Sequence, residues 1–322
     1  MTSLGDRPAG SAPTDEGAAA GEPQIPWYRR WRIHVVLGVA VAALAAFWAG
    51  ERAASGVRAE LDARLRDAGA GADAGLVTLE AEQLSALRAI TFTEGVGHAL
   101  AMRDVATLNR LVTPLQANAD VPMVDVVLPD GRVVLAVRSK GAPAPVASRA
   151  GMPAIARALR QARGPRGGRS SELDLFRSGP TVVTIGPILD GAKPVGVALA
   201  MTPLADALGR LSQEVGARLT AYDADGRPLA TTAPYEPRPL ERDEARALMG
   251  GGPVVYRSHG GEREALGRLI LDHRPVAVLG AALRDSSWVT GRAVVLYAAI
   301  GLVCAMLIVG SFSLRVANRW WR

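Results

Sequence analysis

In the stretch VDVVLPDGRVVLAVR (residues 124–138), the carboxylate of Asp125 and the guanidinium of Arg138 are the side chains able to do chemistry together. An Asp-Gly pair between two β-rich apolar runs is a strong short-range hairpin signal. With Asp130-Gly131 as a two-residue type I′ loop, both turn residues need positive φ and the strands pair outward from them. Val124, Val126, Leu128, Val133, Leu135 and Val137 then share one wholly apolar face, which helices must pack. Met123, Asp125, Val127, Val134, Ala136 and Arg138 share the other, with the two charges at opposite margins of a small apolar patch. Two readings fit. The face is lined for a small polar ligand, with Arg138 as its anion-binding group, or it is a half-solvated face with a charge at each margin. Arg177 and Thr184, on the strands that follow, are weaker candidates for the same ligand.

Other chemistry is sparse. Cys304 is the only cysteine, so neither an internal disulfide nor a cysteine metal site can form. His34, His98, His259 and His273 are scattered, and no metal or cofactor is expected. RGPRGGRSS lacks the lysine of a phosphate-gripping loop. YDADGRPLATTAPYE has Ala221 and Thr232 where a calcium loop needs its first and last carboxylates. No G-x-S-x-G elbow is present, and an enzyme is not expected. The net charge is +6, but residues 51–292 carry 30 basic and 27 acidic side chains, which gives no concentrated basic face for nucleic acid. The arginine-rich RALRQARGPRGGR (157–169) is a solvated loop or a lure for anions.

The elements that must position these groups repeat. LTAYDADGRPLATT (219–232) writes the same hairpin 95 residues later, from Asp130 to Asp225. KPVGVALA (Lys193–Ala200) and RPVAVLGAAL (Arg274–Leu283) read as closing strands of two equivalent halves. Helices are expected between them at Met152–Ala162 and Glu241–Met249. Upstream, Asp104 is a plausible N-cap for a helix carrying Leu108, Leu111 and Leu115 on one face. Glu51–Asp67 reads as helix, AGAGADAG as an interruption, and helix resumes near Leu76. Residues 1–26, without periodicity, read as a disordered tail.

Two uncharged apolar runs frame all of this: Ile33–Gly50 and Ala293–Leu314. At ~1.5 Å per residue they reach about 27 and 33 Å, enough for a bilayer core of about 30 Å. All six tryptophans (27, 31, 48, 288, 320 and 321) lie at or beside them, as expected of an interfacial belt. Arginines 29, 30, 32, 315, 319 and 322 on the short tails place both termini inside and the middle outside. Gly38, Ala42, Ala46 and Gly50 share a helix face that suits close helix packing, within the molecule or between two copies.

A long helix after a first span, MRDVATLNRLVTPL, a strand–DG–strand hairpin and the close KPVGVALAMTPLADALGRL resemble the double Cache sensors, tandem PAS-like modules of bacterial receptors. The resemblance covers about residues 76–283. It implies an α+β fold with a long N-terminal helix and two PAS-like antiparallel-sheet modules in tandem, between two transmembrane helices. The expected order is a cytoplasmic tail (1–32), a span (33–50), a helical stalk (51–75), a ligand-binding membrane-distal module (76–203), a relaying membrane-proximal module (204–285), a span (293–314) and a short cytoplasmic tail (315–322). Residues 76–203 hold no Trp or Tyr, and the closing-strand carboxylate of amino-acid-binding relatives aligns with Ala200; the aromatic cage for an amine is missing. The expected function is a bilayer-anchored sensor of a small ligand, an organic acid being the best fit. Its signal goes to a partner in trans, and receptors of this kind usually dimerise. Only RVANRWWR follows Leu314, too short for an output domain. The alternatives are an envelope scaffold or the truncated sensor half of a histidine kinase, cyclase or chemoreceptor.

Overall fold

The computed structural model describes residues 27–285, apart from 165, 166 and 260, together with Leu296, Ala299 and Gly301. The tail at 1–26, most of the second span, the C-terminal tail and the tryptophans at 288, 320 and 321 lie outside the described residues. Contacts divide the chain into two compact units, residues 1–53 with 291–322, and residues 54–290.

Helices α1 (Trp27–Phe92), α2 (Val96–Ala101) and α3 (Val105–Asn118) lead into strands β1 (Met123–Val127) and β2 (Val133–Arg138). Helix α4 (Pro153–Arg160) precedes β3 (Ser170–Phe176), β4 (Gly179–Asp190) and β5 (Lys193–Pro203). The second half runs α5 (Leu204–Val215), β6 (Arg218–Tyr222), β7 (Pro228–Thr231), α6 (Arg242–Met249), β8 (Val255–His259), β9 (Glu262–Leu271) and β10 (Arg274–Arg284). The two five-stranded antiparallel sheets have orders β2-β1-β5-β4-β3 and β7-β6-β10-β9-β8. These orders are identical element for element. The two closing strands, β5 and β10, are central in their sheets, which is why their sequences are the most continuously apolar.

Both Asp-Gly-Arg hairpins turn in the same way, and not by the expected type I′ loop. Gly131 (φ 87°) and Gly226 (φ 82°) have positive φ, whereas Asp130 and Asp225 do not. The Gly131 N–H donates to Leu128 O, and the Leu128 N–H to Arg132 O; Gly226, Asp223 and Arg227 repeat both bonds. This is a four-residue turn closed by a left-handed glycine, which adds a residue to the loop and a bulge at its base. Val127 therefore faces Val133, not Val134. Val133 joins the face carrying Asp125, and Val134 packs on the helical side, the reverse of the sequence expectation.

Helix α1 also departs from expectation, running unbroken through AGAGADAG. Its small residues lie where α5 crosses. A Cβ on Gly71 would stand 2.9 Å from Val215, and one on Gly75 would overlap Leu211. Ala68, Ala72, Leu76 and Leu79 pack there with Leu204, Leu208 and Leu211 over the second sheet. Interior glycine costs a helix about 1 kcal/mol relative to alanine, and this buried seam offsets it. Gly75→Val is expected to lower stability by about 1–3 kcal/mol through overpacking, read as a fall in the thermal unfolding midpoint, whereas Gly69→Ala, with open space around it, is expected to raise it.

Further along, α1 covers the first sheet with Leu87 and Ile90, helped by α2 and α3. Asp104 caps α3, its side chain accepting the Thr107 N–H at 3.0 Å; the Thr107 hydroxyl first, and then that N–H, hold its carboxyl below the usual range. The opposite sheet faces are covered by α4 and by α6.

Candidate ligand-binding site

Asp125 is carried by β1 on the α4-covered face, among Met123, Val127, Leu199 and Met201. It is fully buried, so this face is not half-solvated. Arg138 reaches back along its strand until Nη2 lies 2.5 Å from Asp125 Oδ1, so the two predicted groups touch rather than hold opposite margins. A third group closes the constellation: Arg149 donates to Asp125 Oδ2 from Nε (3.1 Å) and Nη2 (2.9 Å). Its guanidinium lies 4.2 Å from the Phe176 ring centroid, a cation–π stack, and Nη2 also approaches Met201 Sδ at 3.7 Å. Sequence reasoning missed Arg149. It sits in an irregular segment with no periodicity, and its backbone is fixed by a bond from its N–H to Gly131 O, at the hairpin turn.

The charges in this site do not balance. Two guanidiniums, with side chains 12% and 9% exposed, surround one carboxylate. Arg138 Nη1 donates to the carbonyls of Val124 and Val137, but Nε and Nη2 are buried without a hydrogen-bond partner, Nη2 being close to Asp125 yet badly angled. On the same face Glu172 is engaged by Arg157 at 3.2 Å.

The remaining candidates lie elsewhere. Arg177 is exposed in the β3–β4 turn. Thr184 is buried on the α1 side of the sheet, where its hydroxyl donates to Gln83 Oε1 (2.6 Å) and meets Ser171 (3.0 Å), while Gln83 Nε2 donates to Thr202 (2.8 Å). Ala200 packs on that side too; Leu199 and Met201 are the closing-strand residues beside Asp125. Gly38, Ala42, Ala46 and Gly50 all lie on α1.

No family model and no curated relative matches the chain. Solved structures do. The ligand-binding domain of the Campylobacter jejuni chemoreceptor Tlp3, in complex with 4-methylisoleucine, aligns over 72% of this chain and 92% of its own, with a TM-score of 0.51 and 12% identity. The Vibrio cholerae histidine kinase DctB sensor domain aligns over 69% and 95%, with a TM-score of 0.48 and 11% identity. This chain has the double Cache fold.

Within that fold the second Cache module gives a control for the first. Thr220 occupies the position of Asp125, and its hydroxyl pairs with Thr231 at 2.8 Å. The covered face there holds a cleft of about 390 Å³ lined by Arg218, Tyr222, Tyr235, Arg257, Glu262 and Glu264 among others. Two arginines there each meet a carboxylate of their own. Arg218 pairs with Glu262, which also accepts from Tyr235, and Arg257 pairs with Glu264 at 2.8 Å. Tyr222 donates to Glu264 at 3.0 Å, and burial together with that carboxylate pushes its phenol well above the ordinary value. At Asp125, by contrast, two nearly buried guanidiniums share one carboxylate.

Proposed function

We propose that this chain is a membrane-anchored extracytoplasmic sensor whose first, membrane-distal module binds a small carboxylate beside Arg138 and Arg149. The observation that carries this reading is the single buried carboxylate held between two guanidiniums. A buried unpaired cation is costly, and so is a buried donor without a partner; an incoming carboxylate relieves both. An amine finds no welcome here. Asp125 Oδ1 already faces Arg138 and Oδ2 already faces Arg149, so the amino group of a ligand like the one in Tlp3 has no free counter-charge.

Anchoring is supported by α1, which among the described residues is the one helix long and apolar enough to cross a membrane. Leu37, Val41, Leu44, Phe47 and Trp48 are all exposed on it. In the proposed arrangement both termini are cytoplasmic, a second span follows the membrane-proximal module, and the signal passes through the spans to a separate partner, from a dimer of this chain. Gly38, Ala42, Ala46 and Gly50 form the close-packing seam of the first span.

The test is a thermal-unfolding screen of the full chain in maltoside micelles with acetate, pyruvate, propionate and succinate, against chloride at equal ionic strength. Ligand at 100 times its Kd is expected to add about 2.7 kcal/mol of stability. Arg138→Gln is expected to abolish the effect. A flat response of the wild type across all four acids would sink the sensor reading and leave the triad as the clamp of a scaffold.

A further inference from the structure

The arginine-rich stretch 157–169 ends on Arg169, just before β3, and the carboxylate site makes no use of it. Arg169 opens onto a separate cavity of about 260 Å³. Its basic end is made by Arg88 of α1, Arg169, Ser170 and Ser171; its acidic end is made by Glu80 of α1 and Asp272 of the β9–β10 turn. Glu80, Leu84 and Arg88 follow one another at single-turn intervals on one face of α1, so the two ends stand about 12 Å apart with Leu84 between them.

The acids are occupied. Glu80 accepts the Asp272 N–H at 3.3 Å, and Asp272 makes a further interaction of its own. The arginines are not. Among the described residues neither Arg88 nor Arg169 meets a carboxylate, and Arg169 Nε is buried with no hydrogen-bond partner. The Arg169 guanidinium lies 5.0 Å from the Phe92 ring centroid, a cation–π contact. Burial, and then the neighbouring Arg88 charge, lower the pKa of Arg169 from its ordinary value. A buried donor without a partner is rare in native proteins and marks an absent water or ion. Two like charges held together make that absent group an anion.

We propose that the Arg88–Arg169 end of this cavity is a second anion site, selective for a phosphate-like dianion and distinct from the carboxylate site at Asp125. Two guanidiniums match two negative charges, and forked donors suit a tetrahedral oxyanion. Ser170 flanks it, and Ser171 ties it through Thr184 to Gln83 of α1. Asp272 of the second module lines the far end of the same cavity, so the anion is held by residues of the first module alone.

Titration calorimetry of the full chain in maltoside micelles, which carry no lipid phosphate, tests the proposal. Inorganic phosphate and sulfate are expected to bind once per chain. Arg88→Gln, a change on an exposed side chain, is expected to weaken them at least tenfold, and Arg169→Gln to a similar degree. Arg138→Gln is expected to leave both affinities unchanged, which separates this site from the carboxylate site. The proposal is overturned if chloride at equal ionic strength reproduces the effect, if Arg88→Gln and Arg169→Gln bind phosphate like the wild type, or if succinate binds there while phosphate and sulfate do not.

Discussion

Asp125→Asn is expected to destabilise the first Cache module by about 3–5 kcal/mol, the cost of removing one partner from a buried ion cluster. The substitution is close to isosteric, so packing changes little. What changes is charge: Arg138 and Arg149, 12% and 9% exposed, lose the only carboxylate between them. Against a total stability of typically 5–15 kcal/mol, the loss is visible as a large fall in the denaturant midpoint of the full chain. Two controls identify the cause. Acetate is expected to restore part of the lost stability, because an anion now enters a site with two uncompensated cations. The triple change Asp125→Leu, Arg138→Met, Arg149→Met is expected to recover most of it without any ligand, since an apolar cluster needs no counter-charge. A midpoint for Asp125→Asn within about 1 kcal/mol of wild type would mean that water reaches the triad, and the argument for a carboxylate ligand would go with it.

Gly131→Ala and Gly226→Ala are expected to damage the two modules alike. At φ near +87° and +82° a side chain is strained, at a cost of about 1–3 kcal/mol. The added methyl also collides with the next segment of chain: the Ala150 backbone at Gly131, and the Leu240 carbonyl at Gly226. Each glycine carbonyl accepts a bond from that same segment, from the Arg149 N–H at 2.7 Å and from the Leu240 N–H at 2.8 Å. The consequences for binding then diverge. Displacing the chain at Arg149 moves a guanidinium of the carboxylate site, so Gly131→Ala is expected to weaken binding as well as stability. Gly226→Ala is expected to weaken stability alone. Thermal unfolding and acid titration of both variants check this, and equal binding losses in the two would contradict the assignment of the site to the first module.

The sequence by itself determined the architecture. Two Asp-Gly-Arg hairpins, two closing strands opening on a basic residue, Pro and Val, and two intervening helices are local patterns, written in residues that are neighbours along the chain. Local patterns survive folding when tertiary contacts reinforce them, and the identical strand orders show that they do. That Asp125 and Arg138 share one face of the sheet was legible for the same reason, since both belong to one hairpin; that they touch was not.

Tertiary structure alone decided the rest. The helix runs through AGAGADAG because α5, some 130 residues on, needs small residues to pack against it; within the segment itself glycine argues only for a break. The exchange of Val133 and Val134 between faces followed from a turn type that depends on what docks against Gly131. Arg149 joined Asp125 across 24 residues of chain without any repeat to announce it, and Arg88 and Arg169 were brought together from a helix and a loop. In each case the deciding energy lies between groups far apart in sequence, where neither periodicity nor propensity leaves a trace.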